Sequence, residues 1–231
     1  MSERSTTAVS PLLLDRQTTA CFSGHRPEKI PFNIYHQINK ETYLSYIYFH
    51  IHQAYEQGYR TFLTGMARGF DILAATAVIK YRRRFSVNDK INLVGVSPFL
   101  NEIKHLHGKD LFNYNFVKSN CDEMIYLNQE YTKGCFHQRN RFMVDRSSLL
   151  ICSCIDEKSG TGSTMKYALK KGLTVDNINI SDFCDMSDTD YPLPKCGYWI
   201  MDTGAKGTVT RVKAAHPFLP VNDTSDKEKM Q

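Results

Sequence analysis

Residues 148–171 read SLLICSCIDEKSGTGSTMKYALKK, and the order of features in this stretch decides the fold. The run 148–153 is apolar and of strand length, 165–171 has helical character, and between them lies SGTGST, 159–164. A strand, a glycine-containing loop and a helix in that order form the repeating unit of a parallel α/β sheet. At such a junction backbone N–H groups face outward at the positive end of the helix, which suits a phosphate or other anion; a flexible turn before an ordinary helix is the alternative.

The same unit recurs upstream. Residues 61–64 (TFLT) predict a short buried strand, followed by Gly65-Met66-Ala67-Arg68-Gly69 and a helix from about 70 to 81. The two glycines let the chain turn sharply and approach a ligand closely. Asp71, in the first turn, either complements the helix dipole or accepts ribose hydroxyls. Earlier still, 17–23 (QTTACFS) predicts a strand ending at Gly24, with His25 and Arg26 next in line. In open α/β sheets ligands gather beyond the carboxyl ends of the strands, so those two side chains are placed to meet an anion; a Pro27-terminated turn with solvated charges is the alternative.

Ile38, Leu44, Ile47, Ile51 and Ala54 predict a long helix over 35–57, stopped by Gly58. Interior strands are predicted at 91–96 (INLVGV), closed by Ser97-Pro98-Phe99, and at 123–127 (EMIYL). The polar and aromatic stretch 101–120 predicts a loop with a short helix near 111–118. A helix over 136–147 and a closing strand over 174–180 follow. The predicted fold is therefore α/β, a Rossmann-like three-layer sandwich with a mostly parallel sheet over 18–180. Residues 1–17 form a poorly ordered lead-in. Residues 181–231 form an irregular C-terminal extension, with one short hairpin around 198–212 covering an edge.

Composition narrows the function classes. A chain of 231 residues, 42% hydrophobic and 23% charged, buries one sizeable core. The net charge of +5 is spread along the chain apart from Arg82-Arg83-Arg84, which argues against a dedicated nucleic-acid surface and leaves room for a small anionic ligand. Seven cysteines, with no CxxC pair and no zinc-type His/Cys spacing, predict neither a disulfide framework nor a metal site. Cys152 and Cys154 are expected as small apolar residues in a reducing cytosol. No stretch reaches the roughly 20 apolar residues of a membrane helix, so a soluble cytoplasmic protein is expected, with no membrane partner and no cofactor.

Five blocks occur in a characteristic order: CFSGHRP (21–27), TGMARGFD (64–71), VSPF (96–99), QRNRFMVD (138–145) and GTGSTMKYA (160–168). Together they resemble the SLOG superfamily in its YpsA-like branch, which is spread through bacterial and phage genomes and is related to the DprA/SMF and Lonely Guy-type proteins. The resemblance covers about residues 18–180. It implies a Rossmann-like fold with a nucleotide or nucleotide-derived ligand at the strand C-termini. Gly24, His25 and Arg26 would line the first loop, Gly65, Gly69 and Asp71 the second. Arg139 and Asn140 would reach in from their helix, and Gly160, Thr161, Gly162, Ser163 and Thr164 would hold phosphate.

Two departures stand out against that family. Arg68 replaces a small or aliphatic residue, adding charge for a phosphate or pointing to solvent. Lonely Guy-type phosphoribohydrolases carry GGxGTxxE with a catalytic Glu, and aligning its GT on Gly162 and Ser163 puts Lys166 at the Glu position. A lysine does not replace that carboxylate unaided, so Asp71 and Asp145 are the catalytic candidates left in the blocks. The reading placed first is a sensor or sequestering module for a nucleotide-derived, ADP-ribose-like ligand. A nucleotide N-glycosidase or phosphoribohydrolase comes second and a DNA-processing adaptor third. A homo-oligomer is compatible with each.

Overall fold

The computed structural model describes residues 14–85, 90–178, 198–201 and 210–213. The chain divides into two compact units, Met1–Cys184 and Asp185–Gln231.

In the first unit, six strands form one sheet: β1 (Thr19–Gly24), β2 (Thr61–Thr64), β3 (Asn92–Ser97), β4 (Glu123–Tyr126), β5 (Leu149–Ser153) and β6 (Thr174–Asn177). Their order is β4-β3-β2-β1-β5-β6, and every pairing is parallel. Parallel neighbours need crossovers, and five helices supply them. These are α1 (Gln37–Glu56), α2 (Phe70–Phe85), α3 (Gly108–Asn120), α4 (Cys135–Asp145) and α5 (Gly160–Lys170). α2 packs against both α1 and α3, while α4 packs against α5. The fold is the Rossmann-like three-layer sandwich expected.

The interior strands β1, β2 and β5 are buried along nearly their whole length because helices cover both faces. Alternate residues of β1 feed different cores. Phe22 stacks on Phe62 with centroids 5.8 Å apart and meets the edge of Phe70. Cys21 joins Leu63, Val94, Met143, Leu150 and Cys152 in a separate apolar cluster. Cys152 is thus a small core residue, as its position in an apolar run predicts.

Three expectations change. The strand 123–127, predicted to be interior, is the edge strand β4 and is half-exposed throughout, because α4 returns the chain across the sheet to the far side of β1. The helix near 111–118 is longer, starting at Gly108, and a 3-10 turn Glu102–His105 precedes it. SGTGST is not a loop: Ser159 is the N-cap and Gly160 to Thr164 are the first residues of α5.

At the start of the described chain Asp15 caps a 3-10 turn, Arg16–Thr18, its carboxylate accepting from Gln17 N–H at 3.0 Å. Residues 1–13 of the lead-in and most of the extension lie outside the described residues. In the second unit β7 (Tyr198–Met201) pairs antiparallel with β8 (Thr210–Lys213), a hairpin where the sequence predicts one.

Candidate functional site

The strand order reverses between β1 and β5, the point where an open parallel sheet leaves a crevice at its carboxyl edge. His25, just beyond β1, fills it. The imidazole is 3% exposed, and its Nε2 accepts the N–H of Ile155, beyond β5, at 2.9 Å. That bond places the proton on Nδ1. Loss of solvent, then the charge of Lys29, hold the His25 pKa below its ordinary value. His25 is a neutral tie between two loops.

The segment after β2 is built more tightly. Met66 adopts a left-handed conformation, φ 59°, while only 2% exposed, which a bulky side chain rarely does. Gly69 has φ 89°, and a Cβ there would stand 2.5 Å from the His25 carbonyl oxygen. That carbonyl accepts the N–H of Phe70 at 3.1 Å. Gly24 is likewise a packing position, since a Cβ on it would collide with the side chain of Phe70.

Gly65 is different in kind, because what fills the space above it is charged. A Cβ on it would stand 2.6 Å from Asp71 Oδ2 and 2.9 Å from Arg139 Cζ. The Asp71 carboxylate accepts from the backbone N–H groups of Ala67 and Gly24, yet burial pushes its pKa up to about 6, against the lowering effect of Arg139. Arg139, 6% exposed on α4, donates Nη1 to the Gly65 carbonyl and Nε to Asn140 Oδ1 at 3.0 Å. Asn140 in turn donates to Thr164 Oγ1 at 2.8 Å, and that hydroxyl donates to the Gly160 carbonyl at 2.9 Å. One polar chain thus ties the β2 loop to the first turn of α5.

A second carboxylate, half-buried, approaches this group from the 3-10 turn that follows β3. Glu102 accepts from Ser97 Oγ at 3.0 Å, and its pKa is raised by burial against the pull of Arg139, Ser97 and Arg26. It opens onto a cavity of about 340 Å³ together with Arg26, Arg68, Phe99, His105 and Phe136. Arg26 is exposed and lies over the Phe136 ring, 5.7 Å from its centroid. Phe99 meets Phe136 edge-on at 6.4 Å, and Tyr131 packs against both. Arg68 forms part of the wall but its charge is engaged: it pairs with Glu28, and with Asp110 at 3.1 Å.

The α5 turn is largely occupied with itself. Ser159 Oγ accepts from Gly162 N–H at 3.1 Å and donates to the Asp156 carbonyl. A Cβ on Gly162 would stand 2.3 Å from the Glu157 carbonyl oxygen, so that glycine lets the preceding loop pack on the helix. Thr161 is buried, whereas Ser163 is exposed. With Asn140, Thr164 and Lys166, Ser163 lines a separate groove of about 270 Å³ between α4 and α5. Lys166 pairs with Glu157 at 3.4 Å.

Asp145 does not belong with Asp71. It ends α4, at the opposite edge of the sheet, where Lys171 pairs with it at 2.9 Å and Tyr167 donates to it at 3.0 Å. Those partners hold its carboxyl below the usual range although partial burial opposes them. The site therefore gathers Gly65, Asp71 and Arg139 as a buried base, with Arg26 and Arg68 at a cavity. Glu102, Phe99, His105 and Phe136 complete it, and no motif named them apart from the VSPF block that contains Phe99.

A sequence profile of the YspA SLOG family matches residues 20–184. No curated protein matches the chain. Among solved structures, DNA processing protein A (DprA) from Streptococcus pneumoniae is similar with a TM-score of 0.48 and 13% identity, over 74% of this chain and 57% of that one. The chain thus spans less than two thirds of that protein. DNA processing protein A from Helicobacter pylori, described with a single-stranded DNA binding mode, has a TM-score of 0.42 and 18% identity over 75% of this chain and 81% of that one. Among the described residues no helix is long and apolar enough to cross a membrane.

Proposed function

The chain belongs to the YspA SLOG family, and on that premise we propose that it binds a nucleotide or nucleotide-derived ligand of ADP-ribose-like chemistry, as a sensor or sequestering module. The observation that carries this is the cavity of about 340 Å³ beside Arg26, Phe136 and Glu102. Its chemistry matches the three parts of such a ligand. The half-buried Phe136 ring, braced edge-on by the buried Phe99, would stack a base. The Arg26 guanidinium, not tied up in any carboxylate pair among the described residues, meets a phosphate. The Glu102 carboxylate accepts ribose hydroxyls.

A thermal-shift panel of AMP, ADP, ADP-ribose and NAD, with ribose and inorganic phosphate as controls, tests it. At least one nucleotide should raise the melting temperature of the wild type and fail to do so in Arg26→Ala. No stabilisation by any of them would count decisively against binding.

Glu102 also favours a second reading, a nucleotide N-glycosidase or phosphoribohydrolase. A carboxyl group whose pKa is raised by loss of solvent, at the wall of a cavity, is a candidate to protonate a leaving base. Asp71, walled in behind Gly65, would position Arg139 rather than touch substrate. Free base released from nucleoside monophosphates by wild type, and lost in Glu102→Gln with nucleotide binding retained, would establish this chemistry. Intact nucleotides after prolonged incubation would remove it.

A further inference from the structure

Arg68 lines the cavity beside Phe136, and two carboxylates of unequal standing share its guanidinium. Asp110 accepts from Nη1 at 3.1 Å, its other oxygen accepts the Tyr35 hydroxyl at 2.7 Å, and its side chain is 19% exposed. The Asp110 hydrogen bond is also the largest single cause raising the Arg68 pKa. Glu28 accepts from Nη2 on a side chain that is 58% exposed and has no such brace. Water competes for both charges of an exposed ion pair and leaves it little net strength, so the Glu28 arm is the exchangeable one.

Glu28 also feels a second guanidinium of the same cavity wall. It follows Arg26 by two residues, on the 3-10 turn Pro27–Lys29. Its carboxyl is held below the usual range first by a bond to its own backbone and then by Arg68 and Arg26, against partial loss of solvent. A carboxylate drawn by two guanidiniums stands where a phosphate would, because both anions accept the same N–H donors. The backbone around Arg68 is fixed by the left-handed Met66 and by Gly69 at φ 89°, tight under the His25 carbonyl. Exchange of anions there falls to the side chains.

We propose that Glu28 holds the place of a ligand phosphate: a second phosphate group displaces the Glu28 carboxylate from Arg68, while Asp110 keeps the guanidinium in position. Arg26 takes the first phosphate, so the cavity selects nucleoside diphosphates and their esters over monophosphates. This rests on the nucleotide reading above and deepens it by the number of phosphates. Arg68 is thereby a specificity-determining residue and Glu28 its internal competitor.

Calorimetric titration of the full chain with AMP and ADP tests it, on wild type, Glu28→Gln, Arg68→Met and the variant carrying both. Wild type should bind ADP about tenfold more tightly than AMP. Glu28→Gln, a change at an exposed side chain, should tighten ADP by about threefold and widen its preference over AMP. Arg68→Met should bring the two affinities within about twofold of each other, and in that background Glu28→Gln should no longer favour ADP. If AMP binds and ADP binds no more tightly, the assignment is overturned while the nucleotide reading stands. The same follows if Glu28→Gln favours ADP equally with and without Arg68, because its charge then acts through space. Binding of neither nucleotide would remove both.

Discussion

After β2, Gly65 leaves room for two charged side chains; after β5, Gly162 leaves room for the chain's own carbonyl at Glu157. Both segments carry two glycines where a strand gives way to a helix, and by sequence alone the β5 segment, made of small residues throughout, is the better anion cradle. In the folded chain that segment satisfies much of its hydrogen bonding internally, through Ser159, Thr164 and Asn140. The β2 segment instead holds Asp71 and Arg139 in a buried, strained setting that borders a cavity. Glycine spacing reports where backbone comes close to something, and the neighbour that fills the space decides whether the place is structural or chemical.

Arg139→Leu should break the β2 side most severely. It leaves Asp71 and Glu102 without their nearby cation and orphans the Gly65 carbonyl, so a loss of about 3–5 kcal/mol in urea unfolding is expected. A loss below about 1 kcal/mol would mean that Asp71 and Glu102 do not depend on that charge.

Asp71→Asn sharpens the same contrast through pH. The folded pKa is raised from 3.8 to about 6, so between those values the native chain binds more protons than the unfolded one. The contribution is therefore fully present below the unfolded pKa and is lost as pH rises through about 6. The displacement corresponds to on the order of 3 kcal/mol. Measured as stability against pH, wild type should lose stability relative to Asp71→Asn across this window. Parallel curves would refute the buried carboxylate.

Ser159→Ala probes the β5 side and should cost about 1 kcal/mol, the usual value of an N-cap, while leaving ligand binding intact. Loss of binding with unchanged stability would restore the α5 turn as the anion site.

The sheet was legible because strands buried on both faces read as unbroken apolar runs: TFLT coincides with β2, and SLLICS contains all of β5. The start of α3 was hidden because only Tyr114 and Val117 of its residues are buried, leaving little apolar periodicity. The start of α5 was hidden by the poor helix propensity of glycine, although Ser159 is the kind of residue that caps a helix. Asp145 shares a motif block with Arg139, yet it lies six helical positions on, about 9 Å along the axis, and the helix delivers them toward opposite ends. Glu102 sits in a polar stretch with nothing to mark it; its half-burial and its bond from Ser97, which only the tertiary fold supplies, distinguish it from a surface glutamate.

The central claim is that ligand recognition lies at Arg26 and Phe136 and not at the α5 turn. Calorimetry with ADP-ribose on wild type, Arg26→Ala and Ser163→Ala tests it directly. The expected result is a loss of about tenfold or more for Arg26→Ala, with Ser163→Ala within about twofold of wild type. Retained affinity in Arg26→Ala together with a large loss in Ser163→Ala would contradict it.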